Sequence, residues 1–277
     1  MTLSSSPHHP PPSPNNLATG RWSDLKVRLV SGLVLAGLGG VSIALGGWVF
    51  VAMTVLIFSL MAWELAALTD TPARPALRAA IAGLAGLSLA LAQAQGWAVL
   101  GLFLAPVAIA LSTRRDPYLI AGYTLATLMA AHVFIALDQR GAVIVVWLVC
   151  IVVASDVFGY FAGRLLGGPK VWPSISPKKT WSGTVAGWVG ASLVGFGFVL
   201  VAGGGWGLLA ISPAVALAGQ LGDILESLIK RRAGLKDASR LIPGHGGVID
   251  RFDALIGAIL AVWVLELIMP LPLGGGA

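Results

Sequence analysis

The run Leu29–Trp63, LVSGLVLAGLGGVSIALGGWVFVAMTVLIFSLMAW, contains no charged side chain before Glu64 interrupts it. A helix that crosses a bilayer needs about 20 mostly apolar residues. The run therefore holds two spans, predicted over 28–46 and 49–68. The next charge-free run, Ala79–Thr113, is also too long for one span, and QAQG at 93–96 supplies a polar turn near its middle. It divides into 77–93 and 97–113. Further spans are predicted over 118–137, 142–166, 183–203, 206–229 and 248–269, which makes nine. The apolar runs are continuous rather than alternating, which argues against a β-barrel.

Composition agrees. Of 277 residues, 57% are apolar and only 11% are charged, against roughly a quarter charged in a soluble domain. That balance excludes a soluble globular enzyme, a disordered chain and a nucleic-acid-binding domain. The expected fold class is an all-α, polytopic membrane protein. The single Cys150 permits no internal disulfide.

The basic residues orient the spans. If the N-terminus lies in the cytoplasm, every Lys and Arg except Arg140 and Arg251 falls in an inside segment. Such alternation is what the positive-inside rule requires. It accounts for the net charge of +6 and leaves the C-terminal PLPLGGGA outside. The opening MTLSSSPHHPPPSPNNLATG has no apolar core after a basic start and reads as a disordered tail rather than a signal peptide. The domain division expected is a tail over 1–25, N-terminal helices over 26–140, and a catalytic region over 141–277. The two halves differ in kind: polar chemistry concentrates in 155–253, which argues against a transporter built from equivalent repeats.

Two segments carry that chemistry. The first is SDVFGYFAGRLLGGPKVWPSISPKKTWSG, Ser155–Gly183. Asp156 is an intramembrane carboxylate, and such groups are costly and mark functional sites. Lys178 and Lys179 precede a helix start, where N–H groups and the helix dipole suit an anion. The alternative is that they serve only topology or lipid headgroups. Ser176 and Thr180 either contact phosphate or cap the seventh helix. Glu64, near the end of the second span, reads as an interhelical hydrogen-bonding group.

The second segment, GDILESLIKRRAGLKDASRLIPGHGGVIDRFD, runs from Gly222 to Asp253. Asp223, Glu226, Ser227 and Lys230 share one helix face at i, i+3, i+4, i+7. Asp250 and Asp253 are spaced i, i+3 at the next helix start. Hard carboxylate oxygens beside cations suit a Mg²⁺–nucleotide site. Gly246 and Gly247, flanking His245 with Gly244, permit a backbone nest for an anion.

The run S-L-I-K-R-x4-K-D-A-S-x2-I-P-G-H-G-G-V-I-D-R-F-D, Ser227–Asp253, resembles the signature of phosphatidate cytidylyltransferases, the CDP-diacylglycerol synthases. The D-x-x-x-Y-x-x-G-R-x-x-G pattern from Asp156 to Gly167 and S-P-x-K-T-W at 176–181 resemble the same family, as do the weaker marks Ser31-Gly32 and Trp63-Glu64. One departure is Ser182, where the family usually has Glu. The resemblance implies transfer of the cytidylyl group of CTP to phosphatidate with Mg²⁺, and a second cation as an option. It implies CTP, phosphatidate and membrane lipids as partners; composition leaves no nucleic acid among them, and the assembly, with a homodimer as one option, stays open. The expected location is a bacterial inner membrane with the site facing the cytoplasm.

Resemblance and spacing rank Asp223 and Asp250 first as cation ligands, then Glu226 and Asp253, with Asp156 a further carboxylate. Lys230, Arg231, Lys236, Arg251 and Lys179 are expected to hold phosphates. Ser227, Gly246 and Gly247 are expected to bind substrate, and His245 to bind a phosphate or assist proton transfer. Two other readings share some features. A CTP-dependent polyprenol-type lipid kinase would use the same membrane, metal and nucleotide, and an ion-coupled transporter would use the intramembrane carboxylates.

Overall fold

The computed structural model describes residues 14–68, 74–94, 96–112 and 115–273, with the α1 side chains described only from Val27 onward, Arg28 excepted. Among the described residues, the helices are α1 (Pro14–Leu45), α2 (Gly47–Ala67), α3 (Pro75–Ala92), α4 (Leu104–Ser112), α5 (Pro117–Gln139), α6 (Ala142–Leu165), α7 (Trp181–Ala202), α8 (Leu208–Arg232) and α9 (Ile249–Ile268). Six of them, α2, α3 and α5–α8, are long and apolar enough to cross a membrane by length and composition. The protein is an all-α polytopic membrane protein. Large apolar side chains face outward, among them Leu38 and Leu45 on α1 and Leu200 and Val201 on α7, as lipid contact requires.

The structure departs from the predicted segments in three places. Helix α1 starts at Pro14, so its first turns overlap the stretch expected to be a tail; residues 1–13, with His8 and His9, lie outside the described residues. The predicted span 97–113 is split into a 3-10 helix, Gly96–Phe103, and α4. Pro106 lacks the N–H that would bond one turn back, and its ring crowds that carbonyl, so the α-helix starts only at Leu104. The connection between α6 and α7 is not a bare loop. It forms a short antiparallel hairpin, β1 (Lys170–Trp172) and β2 (Ser176–Thr180), pairing Lys170 with Thr180 and Trp172 with Ser176. Gly167 and Gly168 adopt positive φ of 63° and 104° where the chain leaves α6, conformations that favour glycine.

Helices α6–α9 pack tightly through small residues. A Cβ on Gly183 of α7 would lie 2.6 Å from the Gly159 carbonyl oxygen of α6, and one on Gly222 of α8 would lie 2.7 Å from the Asp253 carbonyl oxygen of α9. Close backbone approach replaces the hydrophobic drive that is missing between helices in lipid. It also sets Asp223 beside Asp253. Pro213 inside α8 leaves the Leu209 carbonyl without its helical donor, and the Ser192 hydroxyl of α7 donates to it at 3.3 Å. Helix α5 packs against α9 and joins this group to α2–α4.

Candidate active site

The acidic face of α8 meets the first turns of α9. Carboxylate oxygens of Asp223, Glu226 and Asp253 lie within 4.8 Å of one another. Three carboxylates at that spacing repel unless a cation or protons intervene. The Glu226 side chain is 1% exposed, and the Lys230 ammonium lies 2.7 Å from its Oε2. Even so, its Oε1 has no hydrogen-bond partner among the described residues. Among the described residues the Tyr123 hydroxyl of α5 is likewise buried without a hydrogen-bond partner, and its charged neighbours are Asp253, Glu226 and Asp223. Clustered hard oxygens, one of them orphaned, fit a small divalent cation.

Asp250 stands differently. Its Oδ1 accepts from the Lys230 ammonium at 2.5 Å, and its Oδ2 accepts from the amides of Gly247 at 2.7 Å and Ala238 at 3.2 Å. Its side chain is 6% exposed. Asp250 thus anchors the loop and Lys230, and the carboxylates that come together are Asp223, Glu226 and Asp253.

The glycine loop closes on the protein's own carboxylates. The amides of Val248 and Ile249 donate to the two oxygens of Glu64 on α2, at 2.8 and 2.7 Å. Together with Gly247, these amides form an anion nest, but Asp250 and Glu64 fill it. Gly244 and Gly246 turn the loop with φ of 75° and 85°. The His245 Nδ1 lies 2.7 Å from the Ser31 hydroxyl of α1, and that hydroxyl also donates to the Pro243 carbonyl at 3.1 Å.

Beside the acidic cluster lies a cavity of about 360 Å³, lined from α6, β2, α7 and α8. Arg164, Lys178 and Lys179 make it basic, Asp156 adds one carboxylate, and Thr180 and Gln220 complete its polar wall. Lys179 connects the two regions, with its ammonium 2.5 Å from Asp223 Oδ2. Arg164 donates to the Tyr160 hydroxyl at 2.7 Å. Asp156 has Asp223, Lys179 and Arg251 as charged neighbours.

A cytidylyltransferase family profile matches residues 26–269. The chain belongs to this family. It is 40% identical over 137 residues to a phosphatidate cytidylyltransferase of Brucella abortus, covering 49% of this chain and 51% of the relative. It is 42% identical over 127 residues to one of Helicobacter pylori, with 45% and 47% covered, and 37% identical over 127 residues to one of Haemophilus influenzae, with 43% and 44% covered. The chain spans about half the length of the curated relatives it matches.

The remaining predicted residues of this cytidylyltransferase family member fall outside the two central groups or support them. Thr180 caps α7, accepting from the Gly183 amide at 3.2 Å. Ser176 pairs with Trp172 in the hairpin and does not line the cavity. Ser227 donates to Asp223 Oδ1 at 3.3 Å. Arg231 donates to the Leu235 carbonyl at 3.0 Å, while Lys236 and Arg251 are exposed beside the loop. Ser182, in the first turn of α7, donates to the Gly167 carbonyl and lies 3.0 Å from the Thr180 hydroxyl, so it ties the start of α7 to the chain leaving α6.

Two residues escaped the sequence reading of the site. Gln220 accepts from the Trp188 indole at 3.0 Å and donates to Ser155 at 3.2 Å and to the Thr184 carbonyl at 3.3 Å, joining α6, α7 and α8. A lone amide one turn before Asp223, on the same helix face, is the signal that marks it. Tyr123 lies in an apolar run 100 residues from Asp223 and gives no such signal.

Proposed function

We propose that the protein transfers the cytidylyl group of CTP to phosphatidate, giving CDP-diacylglycerol and pyrophosphate. The observation that carries this reading is the junction, through Lys179, of a basic cavity with the Asp223–Glu226–Asp253 cluster. Membership of the cytidylyltransferase family and relatives named phosphatidate cytidylyltransferase support it. Neither the kinase nor the transporter has an observation of its own to favour it.

Asp223, Glu226 and Asp253 would hold Mg²⁺, with Tyr123 beside them, and Asp250 keeps Lys230 and the loop in place. The cation would draw charge from the phosphate oxygens of the nucleotide. A phosphate oxygen of phosphatidate attacks the α-phosphorus of CTP. A new P–O bond forms, the bond to the β-phosphate breaks, and its electron pair leaves with pyrophosphate. The attacking oxyanion needs little deprotonation, so no general base is required. Catalysis then rests on positioning and on neutralising charge. Lys179, Lys178 and Arg164 supply cationic donors along the cavity wall, where they bind phosphate and orient it.

In the finer topology the helices make nine spans, with the site on the cytoplasmic side of a bacterial inner membrane. The distribution of Lys and Arg supports it. The function is tested by assaying protein purified in detergent with phosphatidate, CTP and Mg²⁺ and no ion gradient. The expected result is CDP-diacylglycerol formed only when all three are present; absence of that lipid product would overturn the reading.

A further inference from the structure

We infer that Glu64 is a positioning residue for the acidic centre: from α2 it grips the first turn of α9 and so fixes where Asp250 and Asp253 stand. This rests on the cytidylyltransferase reading for its effect on turnover. The grip itself stands on geometry alone.

A helix start leaves its first amides without partners inside the helix, and a short polar residue at the cap position usually serves them. Helix α9 starts after Val248, which has no acceptor, and no side-chain bond is made by that cap position. The acceptor comes instead from another helix. Glu64 is fully buried, at 0% exposure. Its Oε1 accepts from the Val248 amide at 2.8 Å and its Oε2 from the Ile249 amide at 2.7 Å. The Ser239 hydroxyl, from the α8–α9 connection, donates to Oε1 at 2.5 Å. A buried carboxylate is stable only when so supplied with donors.

The fit is close on the loop side as well. A Cβ on Gly247 would lie 2.7 Å from Glu64 Oε1, so glycine there lets the loop reach the carboxylate. With Asp250 holding the Gly247 amide, three consecutive amides are fixed by two carboxylates from different helices. Height and rotation of the first turn of α9 are thereby set. Asp250 lies within that turn, and Asp253 lies one turn beyond Ile249 on the same helix. Glu64 is outside the group of converging carboxylates and its oxygens are already engaged. It therefore acts through α9 rather than on substrate.

The test uses purified full-length protein carrying Glu64→Gln or Ser239→Ala. Gln keeps one acceptor oxygen but turns an NH₂ donor toward an amide donor. Ser239→Ala removes one donor and leaves both amide bonds, which covers the case that the first variant does not fold. The first readout is amide hydrogen exchange over 247–251 without substrates, expected to speed up in both variants and more in Glu64→Gln. The second is kinetics. The expected result is kcat lowered roughly 10- to 100-fold in Glu64→Gln, as for outer partners of metal ligands, by less in Ser239→Ala, and KM within about threefold for CTP and phosphatidate, because the chemical step depends most steeply on geometry. Unchanged exchange in both variants would overturn the inference, as would a loss confined to KM. If the unaltered protein makes no CDP-diacylglycerol, the proposed function fails, and the exchange readout still decides the grip.

Discussion

The ammonium of Lys179 lies 2.5 Å from the carboxylate of Asp223. One belongs to β2 of the hairpin between α6 and α7, the other to the face of α8 that meets α9. Lys179 also donates to the Gln220 carbonyl at 3.3 Å, so it is held at the boundary between the basic cavity and the acidic cluster. A phosphate entering the cavity meets a cation already oriented, and the carboxylate beside it belongs to the cluster suited to a metal.

Asp223 and Asp250 should fail in different ways. Asp223→Asn removes a carboxylate from the cluster and relieves crowding, so turnover should fall by two orders of magnitude or more, roughly 3 kcal/mol of barrier, with the melting temperature unchanged or raised. Asp250→Asn breaks its pairing with Lys230 and weakens its hold on the Gly247 and Ala238 amides. It should lower both turnover and stability, the latter by about 1–3 kcal/mol. Rates and melting curves on the two variants check this; an Asp223→Asn variant with normal turnover would remove Asp223 from the centre.

Tyr123→Phe deletes a buried hydroxyl that has no hydrogen-bond partner among the described residues. Without metal, stability should hold or improve by up to about 1 kcal/mol, since an unpaired buried group costs free energy. If the hydroxyl supports a bound cation, the Mg²⁺ concentration for half-maximal rate should rise by roughly tenfold. A Mg²⁺ titration of activity, set beside melting of the metal-free protein, separates the two. A loss of stability with an unchanged Mg²⁺ requirement would show a purely structural hydroxyl.

Ser182 occupies the position where the family usually has Glu, and its hydroxyl bonds the Gly167 carbonyl and neighbours Thr180. Neither contact touches the acidic cluster. Ser182→Ala should change the rate by less than roughly tenfold, about 1.4 kcal/mol of barrier, and Ser182→Glu should be tolerated. Steady-state kinetics decide; a loss as deep as that of Asp223→Asn would put the hydroxyl on metal or phosphate.

For the topology, reporters fused at Ala277 and near Gly234 should report opposite sides of the membrane, with Gly234 cytoplasmic. Both reporters on one side would contradict the nine-span arrangement.

Much of this architecture is legible in the sequence because a bilayer demands long uncharged runs. The helices α2, α3 and α5–α8 follow the predicted spans to within a few residues. The carboxylates of α8 are legible because helical periodicity alone puts Asp223, Glu226 and Ser227 on one face. Contacts between distant helices are less so. Resemblance and spacing rank Asp250 above Asp253 as a cation ligand, yet Asp250 is engaged by Lys230 and two amides while Asp253 joins the cluster. The glycine loop reads as a nest awaiting phosphate, but Glu64, 184 residues before Val248, already occupies two of its amides. No local pattern encodes that pairing; only the packing of α2 against the α9 start reveals it. The 3-10 segment before α4 was within reach, since Pro106 marks it.

The most direct test of the central claim follows the phosphorus. Purified protein is given phosphatidate, Mg²⁺ and CTP labelled at either the α- or the γ-phosphate. The cytidylyl-transfer account predicts α-label in the lipid product and γ-label in pyrophosphate. Label entering the lipid from the γ-position, and none from the α-position, would show phosphoryl transfer by a kinase and contradict it.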